Sequence, residues 1–244
     1  MNAGFLRKTI TGILLGLSLT GCRSAPGKAH LEAATLRPDQ VLAFPTLYKQ
    51  NCAACHGAQG RQGAAISLAN PVYLATAGID NLHHAIANGV PRTLMPAFAK
   101  SQGGLLTDAQ VDVLSKGIMQ TWGSSSAGLV TLPYASHTAA DPASGKVAYA
   151  KFCASCHGVD GAGAGLIGSI VDPAYLDLIS DQALRSAILG GKPGQGMPDW
   201  RSDSPVRAMT NQEVTDTVAW IATYRTPAPY RISALSAPRR MTHE

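Results

Sequence analysis

The sequence runs to 244 residues, a length that suits one or two domains, and is 45% hydrophobic, 14% charged and only 6% aromatic. Its net charge is +5, but removing Arg7 and Lys8 leaves 18 basic against 15 acidic residues, and no basic run reads as a nucleic-acid footprint, so nucleic acid is excluded as a partner. Two domains with so few aromatics would build thin cores unaided, which leaves room for a large apolar group to complete them.

Taken in order, the chain opens with a targeting signal over residues 1–21. Arg7 and Lys8 form a positive region, Ile10 to Leu19 an apolar one too short for a stable span, and the segment ends Leu19-Thr20-Gly21-Cys22. That ending resembles the lipobox of bacterial lipoproteins. The resemblance implies a diacylglyceryl group on Cys22 and a place in the bacterial cell envelope, facing the periplasm. The anchor would sit in the outer membrane or on the outer face of the inner membrane. Residues 22–38 are Ala-rich, contain Pro26, Gly27 and Pro38, and show no apolar period, as a tether would.

The next feature occurs twice: Cys52-Ala53-Ala54-Cys55-His56 and Cys153-Ala154-Ser155-Cys156-His157. Cys-x-x-Cys-His is the attachment signature of a covalent c-type haem. Thiols three positions apart lie on one face of a helical turn and reach two vinyl groups on one porphyrin edge, while the histidine is carried to the iron. The five cysteines then divide into one lipid anchor and two haem pairs, leaving none for a disulfide.

The motifs are 101 positions apart, and from Pro71/Pro173 to Phe98/Trp200 the offset is 102. Ten of those 28 pairs are identical, Gly89/Gly191, Met95/Met197 and Pro96/Pro198 among them. The chain is a duplication, predicted as domains over 39–123 and 141–226 joined by a linker over 124–140, with a poorly ordered tail over 227–244. Each copy reads as helical. Phe44, Leu47 and Tyr48, or Val147, Tyr149 and Phe152, precede the motifs as short amphipathic segments. Leu82, Ala85 and Ile86 form a stripe that Leu184, Ala187 and Ile188 repeat, and Gly89 and Gly191 end those helices. Thr107 to Gln110 and Thr210 to Glu213 are capping boxes for the last helix. No useful period-2 alternation appears, so an all-α fold is predicted. Leu129, Val130, Leu132 and Tyr134 suggest that the linker lies on a domain surface.

The repeat also nominates the second axial ligands. Met95 and Met197 lie 39 and 40 residues after their histidines, each followed by proline. A thioether favours ferrous iron, and the proline restricts the backbone beside it. The rival candidates fail to repeat: His83 and His84 align with Arg185 and Ser186, Met119 with Ala222, and Met209 with Leu106. A thioredoxin-type site needs a strand before the motif, and a zinc site needs a fourth ligand that neither copy offers.

Both copies resemble class I c-type cytochrome domains: a first helix, Cys-x-x-Cys-His, a Gly-rich loop, Met-Pro and a last helix. The resemblance implies two tandem small all-α domains, each wrapped around one covalent haem c. It implies thioether links at Cys52, Cys55, Cys153 and Cys156, iron ligands His56, Met95, His157 and Met197, and a crossing of first and last helices near Phe44/Tyr48 or Gly145/Tyr149. The family's proline that orients the histidine has no close match, since Pro71 and Pro173 come late. A carbonyl near Ile66 or Leu166 is the alternative, and the group is left unassigned. A closed His/Met iron has no position for substrate, so the expected role is electron transfer with redox partner proteins rather than enzymatic catalysis. A haem subunit of a larger respiratory oxidase or dehydrogenase complex is the alternative, and a dihaem peroxidase or thiosulfate-oxidising enzyme a third reading.

Overall fold

A computed structural model describes residues 36–201 and 207–226. The signal, Cys22, residues 22–35 of the tether and the tail beyond Thr226 lie outside the described residues. In the first copy, α1 is Phe44–Asn51, α2 Ala53–His56, α3 Pro71–Asn88 and α4 Asp108–Trp122; in the second, α5 is Pro142–Phe152, α6 Ala154–His157, α7 Pro173–Asp177, α8 Asp181–Gly190 and α9 Asn211–Ala222. Among the described residues there is no named strand, only isolated bridges, as the missing period-2 pattern predicts. Residues 36–40 hold a short 3-10 turn, and the described residues from Val41 onward form one compact unit.

Local sequence explains the helix ends. Thr107 and Thr210 accept the Gln110 and Glu213 amides, and the side chains of Gln110 and Glu213 return to the cap backbone, so both capping boxes form. The long α3 is broken at Gly78 (φ 65°, ψ 171°), where the second copy instead ends α7 at Asp177 and restarts α8 at Asp181. Ser180, the counterpart of Gly78, caps α8 by accepting from the Ala183 amide.

The first and last helices cross so closely that one side chain must be missing at the contact. In the first copy the gap is on α4, where a Cβ on Gly117 would lie 2.2 Å from the Phe44 ring. In the second the roles reverse: Gly145 occupies the position of Phe44, and a Cβ there would lie 1.9 Å from the Asp216 carbonyl oxygen, while Trp220 takes the place of Gly117. Large and small have been exchanged across the crossing. Trp122 packs edge-on against Tyr48 at 5.0 Å, and Trp220 lies tilted against Tyr149 at 4.3 Å, so each crossing carries an aromatic pair. The close approach at Gly145 also sets the inward face of α5, which is Gly145, Ala148 and Tyr149. Val147, expected inside, is 71% exposed for that reason.

The copies share a core. Val72 of α3 packs with Leu189, Trp200, Met209 and Val214 of the second copy, and Leu129 and Leu132 of the linker lie on the same cluster. Asn70 works in both directions at once. Its Oδ1 accepts from the Val72 and Tyr73 amides at 2.9 and 3.1 Å, capping α3, while its Nδ2 donates to the Gly190 carbonyl at 2.6 Å. Its counterpart Asp172 caps α7 but has no N–H to donate. The linker is fixed by Arg185, only 3% exposed, whose guanidinium donates to the Pro133 carbonyl at 2.7 Å, the Tyr134 carbonyl at 3.0 Å and Thr215 Oγ1 at 3.2 Å. Leu129, Leu132 and Tyr134 thus lie against the domains as expected, whereas Val130 is exposed.

The crossing yields a direct test. Gly145→Ala is expected to destabilise the protein by at least about 1–3 kcal/mol, because backbone cannot yield as a side-chain end can. Thermal unfolding of the variant checks it, and an unchanged midpoint would rule out the close crossing.

Candidate haem-attachment sites

Each motif sits on a single helical turn that begins where the first helix ends. Cys52 and Cys153 are at once the C-cap of α1 or α5 and the N-cap of the motif turn, with φ near −120°. The two thiols of each pair therefore meet different surroundings. Cys52 is buried and Cys153 half-buried, whereas Cys55 and Cys156 are exposed. Burial, then the neighbouring cysteine, pushes the Cys52 and Cys153 thiols up to about 11. In each pair the first thiol thus faces the protein and the second the surface.

The turn is held from the first helix. Tyr48 Oη donates to the Gly57 carbonyl at 2.8 Å, and Tyr149 Oη donates to the Gly158 carbonyl. Burial first, and the nearby cysteine second, pushes both phenols up to about 12, so both stay donors. This brace was not read from the sequence. Its signal was there, because Tyr48/Tyr149 and Gly57/Gly158 share the offset of the motifs.

The histidines differ. His56 is 8% exposed, and its Nδ1 lies 2.8 Å from the Ile66 carbonyl oxygen. A carbonyl can only accept, so Nδ1 carries the proton and Nε2 keeps a lone pair for a metal. Burial lowers the His56 pKa, and the hydrogen bond to Ile66 opposes that shift. The open question about the orienting group is thereby answered for the first copy: it is the Ile66 carbonyl. In the second copy Nδ1 of His157 is buried without a partner. The loop there closes on itself instead, with Ala164 and Ile167 exchanging backbone hydrogen bonds of 3.0 and 2.9 Å and the Gly163 amide donating to the His157 carbonyl. Leu166 points fully outward. The extra residue between His157 and Pro173 accounts for this different closure.

Met95 and Met197 lie half-buried on matching loops. The Val90 amide donates to the Met95 carbonyl at 3.1 Å, and Lys192 and Met197 exchange bonds of 2.9 and 3.2 Å. The glycine that ends the preceding helix clamps each loop. At Gly89 (φ 71°) a Cβ would lie 2.7 Å from the Pro96 carbonyl carbon and 2.8 Å from the Met95 oxygen, and at Gly191 (φ 63°) 2.5 Å from the Pro198 oxygen. The sequence showed these glycines only as helix stops. Met95 packs on the core cluster that contains Cys52, together with Ala53 and Ile66. Cys153 and Ala154 pack on the second copy's core, but Met197, partly buried on its loop, is not among the residues of that cluster. The rejected rivals lie elsewhere: Met209 is buried in the shared core, and His83 meets Asp112 at 3.1 Å on the surface. An imidazole with its far nitrogen bonded, a buried thiol beside an exposed one and a half-buried thioether are a donor set that fits a c-type haem in the first copy. The second copy offers the same set without the histidine's hydrogen bond.

The sequence profile of the family described as cytochrome c oxidase, cbb3-type, subunit III matches residues 39–125 and again 140–221, once per copy. The chain is 30% identical over 128 residues to the Cbb3-type cytochrome c oxidase subunit CcoP of Azospirillum sp. (strain B510), covering 48% of this chain and 39% of that protein. To the subunit of the same name from Cereibacter sphaeroides it is 29% identical over 133 residues, covering 50% and 41%. The chain thus spans about two fifths of the length of these relatives. Among solved structures, a chain of the Kuenenia stuttgartiensis reducing HAO-like protein complex Kustc0457/Kustc0458 aligns with a TM-score of 0.43 at 16% identity, covering 79% of this chain and 98% of that one.

Gly89→Ala is expected to push the Met95 loop off its helix end. Peptide mass spectrometry after mild peroxide treatment should then show Met95 oxidising faster while buried Met209 stays protected. Equal Met95 oxidation in both proteins would contradict the clamp.

Proposed function

The chain belongs to the family of cytochrome c oxidase, cbb3-type, subunit III, whose common trait is haem-based electron transfer, and from that footing we propose that it is a dihaem electron carrier. In this reading Cys52 and Cys55 hold one haem c and Cys153 and Cys156 a second. His56 and Met95 ligate the first iron, His157 and Met197 the second. The observation that carries it is the repetition of a whole ligand frame: in both copies a tyrosine braces the motif turn and a left-handed glycine clamps the Met-Pro loop.

A haem held by a histidine and a methionine would supply one-electron chemistry between ferric and ferrous states at a raised potential. The chain's own residues supply rigidity. The Ile66 carbonyl keeps the proton on Nδ1 of His56 and fixes the imidazole, while Gly89 and Pro96, or Gly191 and Pro198, hold the thioether loop. The shared core around Val72 and Leu189, with the Asn70 bond across it, keeps the two sites at one separation. Such a frame suits passing electrons between partner proteins and leaves no position for catalysis on a substrate.

A lipid on Cys22 would tie the carrier to a membrane of the bacterial envelope, facing the periplasm, with residues 22–38 as the tether. Among the described residues no helix is long and apolar enough to cross a membrane. The names of the relatives favour a second reading, that the carrier is the haem subunit of a respiratory oxidase or dehydrogenase complex.

The test is an oxidised-state optical spectrum with a redox titration. Met95→Ala and Met197→Ala are each expected to remove about half of the methionine–iron charge-transfer band. A high-spin haem in the unaltered protein, or a loss confined to one of the two variants, would overturn the symmetric ligation.

A further inference from the structure

The two copies differ in the charge of the loops that carry the proposed ligands. Residues 57–70 and 89–106 of the first copy hold Arg61, Arg92 and Lys100 and no carboxylate. The matching loops of the second, 158–172 and 191–209, hold three cations and four carboxylates, and Arg201 is paired with Asp199 at 2.7 Å and Arg207 with Glu213 at 2.6 Å. Arg61, Arg92 and Lys100 are exposed, and among the described residues none of them is in an ion pair.

The basic loops also carry an apolar tip. Leu94, beside Met95, is 80% exposed, and Leu105 is 87% exposed next to the Lys100–Leu106 backbone contact. The counterparts of Arg61, Arg92 and Leu94 are Ala162, Gly194 and Gly196. Arg92 at φ 59° and Gln62 at φ 65° both sit in the left-handed region that favours glycine. Residues held there cost free energy and cluster at functional sites. Exposed leucines and cations outside any ion pair among the described residues, carried on the same pair of loops, suit a transient, electrostatically steered encounter.

We propose that the ligand loops of the first copy, presenting Arg61, Arg92, Lys100 and Leu94, are the docking face for an acidic electron carrier, and that the second copy's loops are not. The proposal rests on the ligation above, since it places these loops at a haem. In each encounter one electron passes between the acidic partner's redox centre and the iron of the first copy, one centre being oxidised as the other is reduced.

The test uses the full-length holoprotein with reduced flavodoxin, a small acidic carrier, as electron donor in stopped-flow. Each flavodoxin gives up one electron and one ferric haem becomes ferrous. At low ionic strength the double variant Arg61→Glu, Arg92→Glu is expected to react about tenfold more slowly, the difference closing near 1 M salt. Leu94→Gln is expected to slow the reaction at every salt concentration. With the cationic donor hexaammineruthenium(II) the double variant should react no more slowly than the unaltered protein. Unchanged flavodoxin rates in both variants, or slowing of the double variant with both donors alike, would overturn the docking face. Haem content and the methionine–iron band of each protein are read first. Their absence from the unaltered protein would defeat the ligation itself, while intact spectra with unchanged rates would defeat the docking face alone.

Discussion

The placement of the two Cys-x-x-Cys-His turns depends on one contact in each copy, the crossing of first and last helices at a point with no room for a second side chain. A Cβ on Gly117 would enter the Phe44 ring, and one on Gly145 the backbone of α9. Because α1 and α5 run directly into the Cys-x-x-Cys-His turns, fixing their angle fixes the motifs. Tyr48 and Tyr149, one turn from the crossing, transmit that position to the Gly57 and Gly158 carbonyls. The exchange of glycine and aromatic between the copies keeps the crossing close while reversing which helix yields. Duplicated domains can drift in this way because packing asks for complementary volumes and not for particular residues.

Much of this was legible in the sequence, for a physical reason. The Cys-x-x-Cys-His signature needs fixed residue types at short spacing, and helix caps are local, so Cys52 to His56, its repeat and both capping boxes could be read directly. Comparing the copies separated Met95 from Met209, which the structure buries in the shared core. What could not be read depends on residues distant in sequence. Asn70 reaches Gly190 across 120 positions, and Arg185 gathers the Pro133 and Tyr134 carbonyls of a linker that sequence alone places only loosely. The face of α5 was misjudged at Val147 because its inward direction is set by Gly145, whose lack of a side chain carries no hydrophobic signal.

The duplication has also produced two unequal halves. His56 is held by a carbonyl, whereas His157 has a buried nitrogen without a partner among the described residues and is acted on by the Lys192 cation; by sequence the loops after His56 hold cations and no carboxylate, those after His157 both. A hydrogen bond at Nδ1 raises the basicity of the ligating nitrogen, so the two imidazoles are not equivalent donors. Such inequality is what a directional carrier would use, one half specialised for meeting a partner and both held by a common core.

The central claim is that each motif carries its own haem. The most direct measurement is the mass of the purified intact chain together with its haem-to-protein ratio, for the unaltered protein and for Cys52→Ala, Cys55→Ala. Two covalent haems per chain, falling to one in the variant, is the result expected; one haem per chain in the unaltered protein would contradict it.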